Sequence, residues 1–362
     1  MGRGTPEIEP SLTVGLLPPI RMGENHLQRF LSRLVRSENL NREEAREFLD
    51  ALLDEEATDV QIAAALTALA TKGETVEELA GLASGLRSKA VRLQCRHLSF
   101  IDTAGTGSSR AKTFNVSTAA AFVIAACGLP VAKHGNRAAS STSGSADVLT
   151  SLGVNVTALP SVSETALNEI GICFMFAPLY HGATARVAGI RRQLGVRTTF
   201  NLLGPLSNPA SAPRQIIGVW EKDLVKRMAE ALALLGTQRA WVVHGGDGLD
   251  EITLTGKTFV AEACNGVVKR FDLEPESFDL HKGPIDHLRG GDPDMNASII
   301  REVFEGKRKD EARSLIVMNA AAALVVGEVT DDLRTAAHLA GKAIDSGAAW
   351  EKLESLKMAT RT

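Results

Sequence analysis

Four segments of the chain concentrate residues able to do chemistry. The first, DTAGTGSSRAKTFNVST (102–118), is a Gly-x-Gly turn followed by hydroxyls, two cations and the start of a helix. Gly105 and Gly107 let backbone N–H groups come close to a ligand. Ser108, Ser109, Thr113, Ser117 and Thr118 add hydroxyls, Asn115 adds an amide, and the helix N-terminus favours negative charge. The set suits a phosphate or pyrophosphate. It lacks the Gly-Lys-Ser/Thr ending of an ATP loop and the third Gly of a dinucleotide loop. The second segment, AKHGNRAASSTSGSAD (132–147), crowds Lys133, His134 and Arg137 into one turn ahead of five hydroxyl residues and another helix start, again a geometry for phosphates. The third, HGGDGLDEIT (244–253), places Asp247, Asp250 and Glu251 after a strand-like run. Hard carboxylate oxygens beside a diphosphate would bind Mg²⁺. The fourth, HGATARVAGIRRQLGVRTTFNLLGPLSNP (181–209), carries Arg191, Arg192 and Arg197, any one of which could clamp a substrate carboxylate in a bidentate pair. Taken singly, each segment also reads as an ordinary Gly-rich turn, a polar surface loop, a solvated Asp-Gly turn or a solvated helix face.

The elements that must position these segments are legible in the periodicity. Leu27, Phe30, Leu31 and Leu34 fall at i, i+3, i+4, i+7, and the spacing recurs from Ala45, Ile62 and Leu79, which predicts four amphipathic helices. Asn25…Gln28, Asn41…Glu44, Thr58…Gln61 and Thr75…Glu78 have the pattern of capping boxes. Connections as short as Lys72-Gly73-Glu74 predict a small bundle, whose periodicity says nothing about chemistry. From Gln94 the texture changes to alternating strands and helices. LSFID (98–102), LPVAK (129–133), VNVTAL, ICFMFAP and RAWVVHGG read as strands, and SGSADVLTSLG (143–153) as a helix. This alternation predicts a mostly parallel sheet covered by helices, with ligands at the carboxyl ends of its strands. NLLGPLSNP reads as a Pro/Gly-punctuated loop, a hinge or wall. The domain reading is a loose tail over 1–23, a helical domain over 24–93 completed by helices within 181–205, and an α/β domain over 94–362.

Composition narrows the function. A net charge of −3 gives no global field to recruit nucleic acid or membrane, so a small anion needs a local positive site. Aromatics at 4% leave a core of Ala, Leu and Val and few platforms for base stacking. Cys95, Cys127, Cys173 and Cys264 lie far apart in sequence and suggest isolated reduced thiols in a cytoplasmic protein. No run reaches the length of a membrane span, and the first residues lack the apolar centre of a signal peptide.

Together and in this order, KHGNR-x-x-SS-x-SGSADVL, RR-x-LG-x-RT-x-FNLLGPL-x-NP and HG-x-DGLDEI resemble the anthranilate phosphoribosyltransferases, as do the helical entry and the late stretch GGDPDMNASIIREVFEGK, over about residues 25–350. The resemblance implies a small α-helical domain hinged to a larger α/β domain with a mostly parallel sheet, of the nucleoside phosphorylase/phosphoribosyltransferase type. It implies transfer of phosphoribosyl from phosphoribosyl pyrophosphate to anthranilate in tryptophan biosynthesis, with Mg²⁺, in a homodimer formed through the helical domain. Carried over, the diphosphate-sugar site comprises Gly105, Ser108, Ser109, Thr113, Asn115, Val116, Ser117 and Thr118. It continues through Lys133, His134, Gly135, Asn136, Arg137, Ala138, Ala139, Ser140 and Ser141 to Ser145. Mg²⁺ positions match Ser117, Asp250 and Glu251, and anthranilate contacts match Gly105, His134, Asn136 and Arg191. Lys133, Asn136 and Arg191 take the catalytic parts. The opening loop departs from the family's Gly-Thr-Gly-Gly-Asp, with Ser108-Ser109 replacing the Gly-Asp, and HGATA replaces a His-Pro-Ala-Met-Lys-like run. The first change bears on the metal and diphosphate, the second on the anthranilate wall. Two rival readings are a pyrimidine nucleoside phosphorylase and a non-catalytic relative that binds nucleic acid.

Overall fold

A computed structural model describes residues 26–107, 113–138 and 142–361. The expected tail, the Asn25 cap, Ser108, Ser109, Ala139, Ser140 and Ser141 lie outside the described residues. The chain opens with α1 (His26–Leu34), α2 (Arg42–Leu53), α3 (Asp59–Lys72) and α4 (Val76–Lys89). Capping boxes start α2 at Asn41, α3 at Thr58 and α4 at Thr75, each pairing a short polar side chain with the third helical residue. Glu78 does more than cap. Fully buried, it accepts from the Thr75 and Leu40 N–H groups and pairs with Lys72 at 2.8 Å, tying α3 and α4 to the α1–α2 connection through one satisfied carboxylate.

The sheet has seven strands in the order β3-β2-β1-β4-β5-β6-β7. β1 (Ile101–Gly105), β2 (Val131–Gly135), β3 (Ile172–Phe176), β4 (Arg214–Gly218) and β5 (Arg239–Gly245) run parallel. β6 (Thr258–Cys264) and β7 (Val267–Leu273) add an antiparallel ribbon. Between them come α5 (Val116–Ala126), α6 (Ser145–Ser151), α7 (Pro160–Ile170), α8 (Ala177–Tyr180), α9 (Ala185–Leu194), α10 (Phe200–Leu206) and α11 (Asp223–Leu234). After β7 follow α12 (Pro293–Phe304), α13 (Glu311–Val326), α14 (Leu333–Asp345) and α15 (Ala348–Ala359). One face of the sheet is covered by α5, α13 and α15; α13 is apolar all round because it is buried on every side. The other face packs against α11, and one continuous core runs from there through α4 and α10 into the bundle. α9 also packs on α3. The sequence boundary at 93/94 is therefore crossed by shared apolar packing. No helix among the described residues is long and apolar enough to cross a membrane.

Several sequence readings need correction. β1 and β2 begin two or three residues later than the expected strands, which brings Gly105 and Gly135 into the sheet. VNVTAL forms no strand. Asn155 turns its side-chain oxygen onto the Thr157 N–H (3.1 Å) and hydroxyl (2.8 Å), and Pro160 then opens α7. Val154 and Val156 are buried without joining a ladder. NLLGPLSNP is largely helical, as α10, and in a helix this short Pro205 removes a single ladder bond.

Candidate active site

Strand order reverses between β1 and β4, because β2 and β3 lie beyond β1 while β5 lies beyond β4. Such a switch point leaves a crevice at the carboxyl ends of the strands. The loops after β1, β2 and β5, three of the four sequence-predicted segments, all start at this edge. Thr106 crosses the gap, its N–H donating to the Gly218 carbonyl at 2.9 Å while its hydroxyl accepts from the Trp220 N–H at 3.2 Å.

Glu251 faces the N-terminus of α5, and the Ser117 N–H donates to its carboxylate at 3.3 Å. Its neighbour Asp250 lies against β1, so that a Cβ placed on Gly105 would stand 3.4 Å from Oδ2. Burial, reinforced by the Asp250 charge, pushes the Glu251 carboxyl well above the usual range, against the pull of Lys133 and Ser117. Lys133 sits beneath them, 4% exposed. Its amine donates to the Thr103 carbonyl, to the Thr103 hydroxyl at 3.3 Å and to the Ser117 hydroxyl at 3.4 Å. Burial lowers its pKa, opposed by Asp102 and Glu251. Two carboxylates and the Ser117 hydroxyl around one partly desolvated spot suit a divalent cation. No group of three or more His, Cys, Asp or Glu side chains capable of holding a metal occurs among the described residues, so an ion here would complete its shell with substrate oxygens and water. Asp247 takes no part. Its carboxylate accepts from the Thr253 and Thr255 hydroxyls and the Leu249 N–H, shaping the turn.

The second segment is held from outside the predicted set. Asp147 accepts from the Ala138 N–H (2.9 Å) and the Gly144 N–H (3.0 Å), and pairs with Arg137 at 2.9 Å. Asn136 is exposed, and its side-chain oxygen accepts from the Arg137 N–H. The Ser145 hydroxyl donates to the Asn136 carbonyl. Beneath the loop, fully buried Asp102 accepts from the His134 N–H at 3.1 Å and from the Asn208 amide at 2.7 Å. Val116 and Thr118 point into the core, at 0% and 1% exposure, and the Asn115 side chain bonds to Ser143 and to Asn296 of α12. Sequence reasoning missed Asp102, Asp147 and Asn319, whose amide fixes both backbone groups of Ile252, next to Glu251. A lone polar residue in an apolar stretch, as in SLIVMNAAAALVV, was the available signal for Asn319.

The fourth segment meets the second through α10. His134 Nδ1 lies 3.2 Å from the Gly204 carbonyl, and its ring is 5.1 Å from that of His181. Arg191 donates to Asn201 Oδ1 at 3.0 Å, with its guanidinium 5.5 Å from the Phe200 ring centre. No carboxylate pairs with Arg191 among the described residues, so its guanidinium suits an anionic ligand. Arg197 instead lies over Trp220, and Arg192 is exposed. A groove of about 480 Å³ lies elsewhere, on α1 and α3; chemistry rather than cavity size locates the site.

Residues 28–90 match the family model described as "Glycosyl transferase family, helical bundle domain", and residues 97–350 match "Glycosyl transferase family, a/b domain". The chain is 49% identical over 326 residues to the anthranilate phosphoribosyltransferase of Desulfosudis oleivorans, covering 90% of this chain and 96% of the relative. It is 49% identical over 329 residues to that of Rhodospirillum rubrum, covering 91% and 94%. The chain belongs to the anthranilate phosphoribosyltransferase family. Among solved structures, the anthranilate phosphoribosyltransferase of Thermus thermophilus superposes with a TM-score of 0.86 at 39% identity, over 92% of this chain and 99% of that one. The Saccharomyces cerevisiae anthranilate phosphoribosyltransferase in complex with PRPP and Mg gives 0.84 at 28% identity, over 92% and 97%. The pyrimidine nucleoside phosphorylase reading gives way to family membership.

His134 and His181 are both buried. Burial, with the neighbouring ring a second cause for His134, pushes His134 down to about 3, and burial pushes His181 down to about 4. The unfolded chain takes up protons near pH 6.5 while the folded chain refuses them. Their contribution to stability is therefore complete above pH 6.5 and is lost as pH falls toward 4 and 3. Each should remove up to about 2 kcal/mol between pH 6.5 and 5. Urea unfolding across that range should show the loss roughly halved in His181→Gln.

Proposed function

We propose that the chain transfers the 5-phosphoribosyl group from phosphoribosyl pyrophosphate to anthranilate, giving N-(5-phosphoribosyl)anthranilate and pyrophosphate, in tryptophan biosynthesis. The observation that carries the reading is the convergence of Glu251, Ser117 and Lys133 at the switch point, beside the Gly-rich opening loop. As the ribose C1–O bond breaks, positive charge grows on the sugar and negative charge on the departing pyrophosphate. The α5 N-terminus favours the anion, and the Lys133 amine sits below, donating to the Ser117 hydroxyl and orienting it. Mg²⁺ held by Asp250, Glu251 and Ser117 would neutralise charge on the diphosphate. The amine nitrogen of anthranilate forms the new bond at C1 and loses a proton. Because the arylamine is already nucleophilic, positioning does most of the work, with no covalent intermediate and no obligatory general base. The decisive experiment follows the fall in anthranilate fluorescence on adding phosphoribosyl pyrophosphate, with and without Mg²⁺. Turnover that needs both the diphosphate and the ion supports the reading; none under either condition removes it.

Arg191 is assigned to the anthranilate carboxylate. Arg191→Ala should raise the KM for anthranilate by about 10- to 100-fold and leave that for phosphoribosyl pyrophosphate within about twofold. The opposite pattern would move Arg191 to the diphosphate side. A cytoplasmic homodimer formed through the helical domain fits the groove on α1 and α3, lined by Leu34, Val35, Ala64 and Ala68, and the exposure of Val35 (66%) and Val60 (79%).

A further inference from the structure

The stretch 289–296 stands in none of the expected contacts with either substrate, yet it grips the foot of the opening loop, which is bonded in turn to the second loop. Asn296, on the first turn of α12, is 2% exposed. Its amide donates to Asn115 Oδ1 at 3.0 Å, and its own oxygen accepts from the Gly291 N–H at 2.8 Å. Asn115 Oδ1 also accepts from the Ser143 hydroxyl at 3.0 Å, and the Asn115 amide donates to the Ser143 carbonyl at 3.3 Å. Asn115 immediately precedes α5 and makes no side-chain cap to it, since its amide is turned outward into this network. Ser143 immediately precedes Gly144, the N-cap of α6. The Asn115 side chain thus joins the foot of the opening loop to the foot of the second, and one side chain from α12 holds Asn115 in that position. Two further contacts make the join close. Thr113 pairs with Arg289 in an isolated antiparallel bridge, and a Cβ on Gly290 would come within 2.5 Å of the Phe114 nitrogen and 2.7 Å of Asn296 Oδ1. α12 is a firm base for this clamp: Asp292 caps it at 2.8 Å, and Ile299, Ile300, Val303 and Phe304 are buried in the core.

We infer that Asn296 is a positioning residue for phosphoribosyl pyrophosphate, setting the separation of the two loops that enclose the diphosphate and the sugar phosphate; the inference rests on the transferase reading. A carboxamide is needed because the join demands a donor toward Asn115 and an acceptor from Gly291 at once. Asn296→Asp preserves shape and the bond from Gly291 but sets an acceptor against the Asn115 oxygen, leaving that contact repulsive.

The test measures both Michaelis constants by the fluorescence assay, and phosphoribosyl pyrophosphate binding by titration calorimetry, for the unaltered protein, Asn296→Asp and Gly290→Ala. Asn296→Asp should raise the KM for phosphoribosyl pyrophosphate at least tenfold and weaken calorimetric binding in the same ratio, with the KM for anthranilate within about twofold. Gly290→Ala, which presses on the same join from another atom, should show the same split. The unaltered protein tests the transferase reading separately. If it turns over and binds the diphosphate, the inference is overturned by variants with both Michaelis constants unchanged, by equal shifts in the two, or by loss of folded protein in both variants.

Discussion

Glu251→Gln should reduce kcat/KM by on the order of a thousandfold while leaving the folded protein no less stable. The substitution keeps the volume and the oxygen that accepts from the Ser117 N–H, so geometry is retained and only the charge is lost. That charge is costly in the free protein: burial and the adjacent Asp250 both disfavour it. Glutamine fixes the neutral form that burial and Asp250 already favour, and Lys133 keeps Asp102 as a counter-charge. Stability and activity should therefore move in opposite directions, as expected where a strained electrostatic arrangement exists for a ligand and not for the fold. The difference between variant and unaltered protein should shrink as Mg²⁺ is withdrawn. Thermal unfolding and steady-state rates over a Mg²⁺ series check both halves. A variant that melts much earlier yet turns over normally would make Glu251 a structural residue.

Gly218→Ala should cost about a hundredfold in kcat/KM through a methyl group that touches no substrate. Gly218 ends β4 and packs against the backbone of the carboxylate segment: a Cβ there would stand 1.6 Å from the Asp250 carbonyl oxygen and 2.5 Å from its carbonyl carbon. The neighbour is backbone, so no rotamer change can relieve the overlap. Asp250 and Glu251 must move by an ångström or more, away from Gly105 and Ser117. Overpacking of this kind costs about 1–3 kcal/mol in stability. Urea unfolding gives that cost, and the rate loss should exceed what partial unfolding explains. Normal rates would mean that the carboxylate pair tolerates displacement and is not the metal-binding part of the site.

What could be read from the sequence follows the range of the interaction that sets each feature. Asn41, Thr58 and Thr75 bond three residues ahead, so local spacing sufficed to place three helix starts. The loops carrying Lys133, Asp250 and Glu251 were visible because glycines, cations and carboxylates crowd within a few residues. β4 was missed because RQIIG is buried throughout and shows no alternation. Asp102 was seen only as the end of a strand, because its partners His134 and Asn208 lie 32 and 106 residues away. Lys133 stands out in sequence as a loop cation, and its bonds to Thr103 and Ser117, 30 and 16 residues away, appear only in the fold. Spacing along a chain reports which groups share a loop and not which of them stand underneath it.

The seven-residue helix 200–206 is gripped from two directions. Arg87, on the bundle side, donates to the Leu206 carbonyl at 2.7 Å. On the sheet side, Gln215 donates to the Pro205 carbonyl, His134 faces the Gly204 carbonyl, and Asn208 reaches both Asp102 and the Ala132 carbonyl. Rotation of the bundle would thus act as a torque on the segment that seats His134. An arylamine tightening this lever from the Arg191 end would stiffen it for the sugar diphosphate as well, and thermodynamic reciprocity makes the gain in affinity equal for both partners.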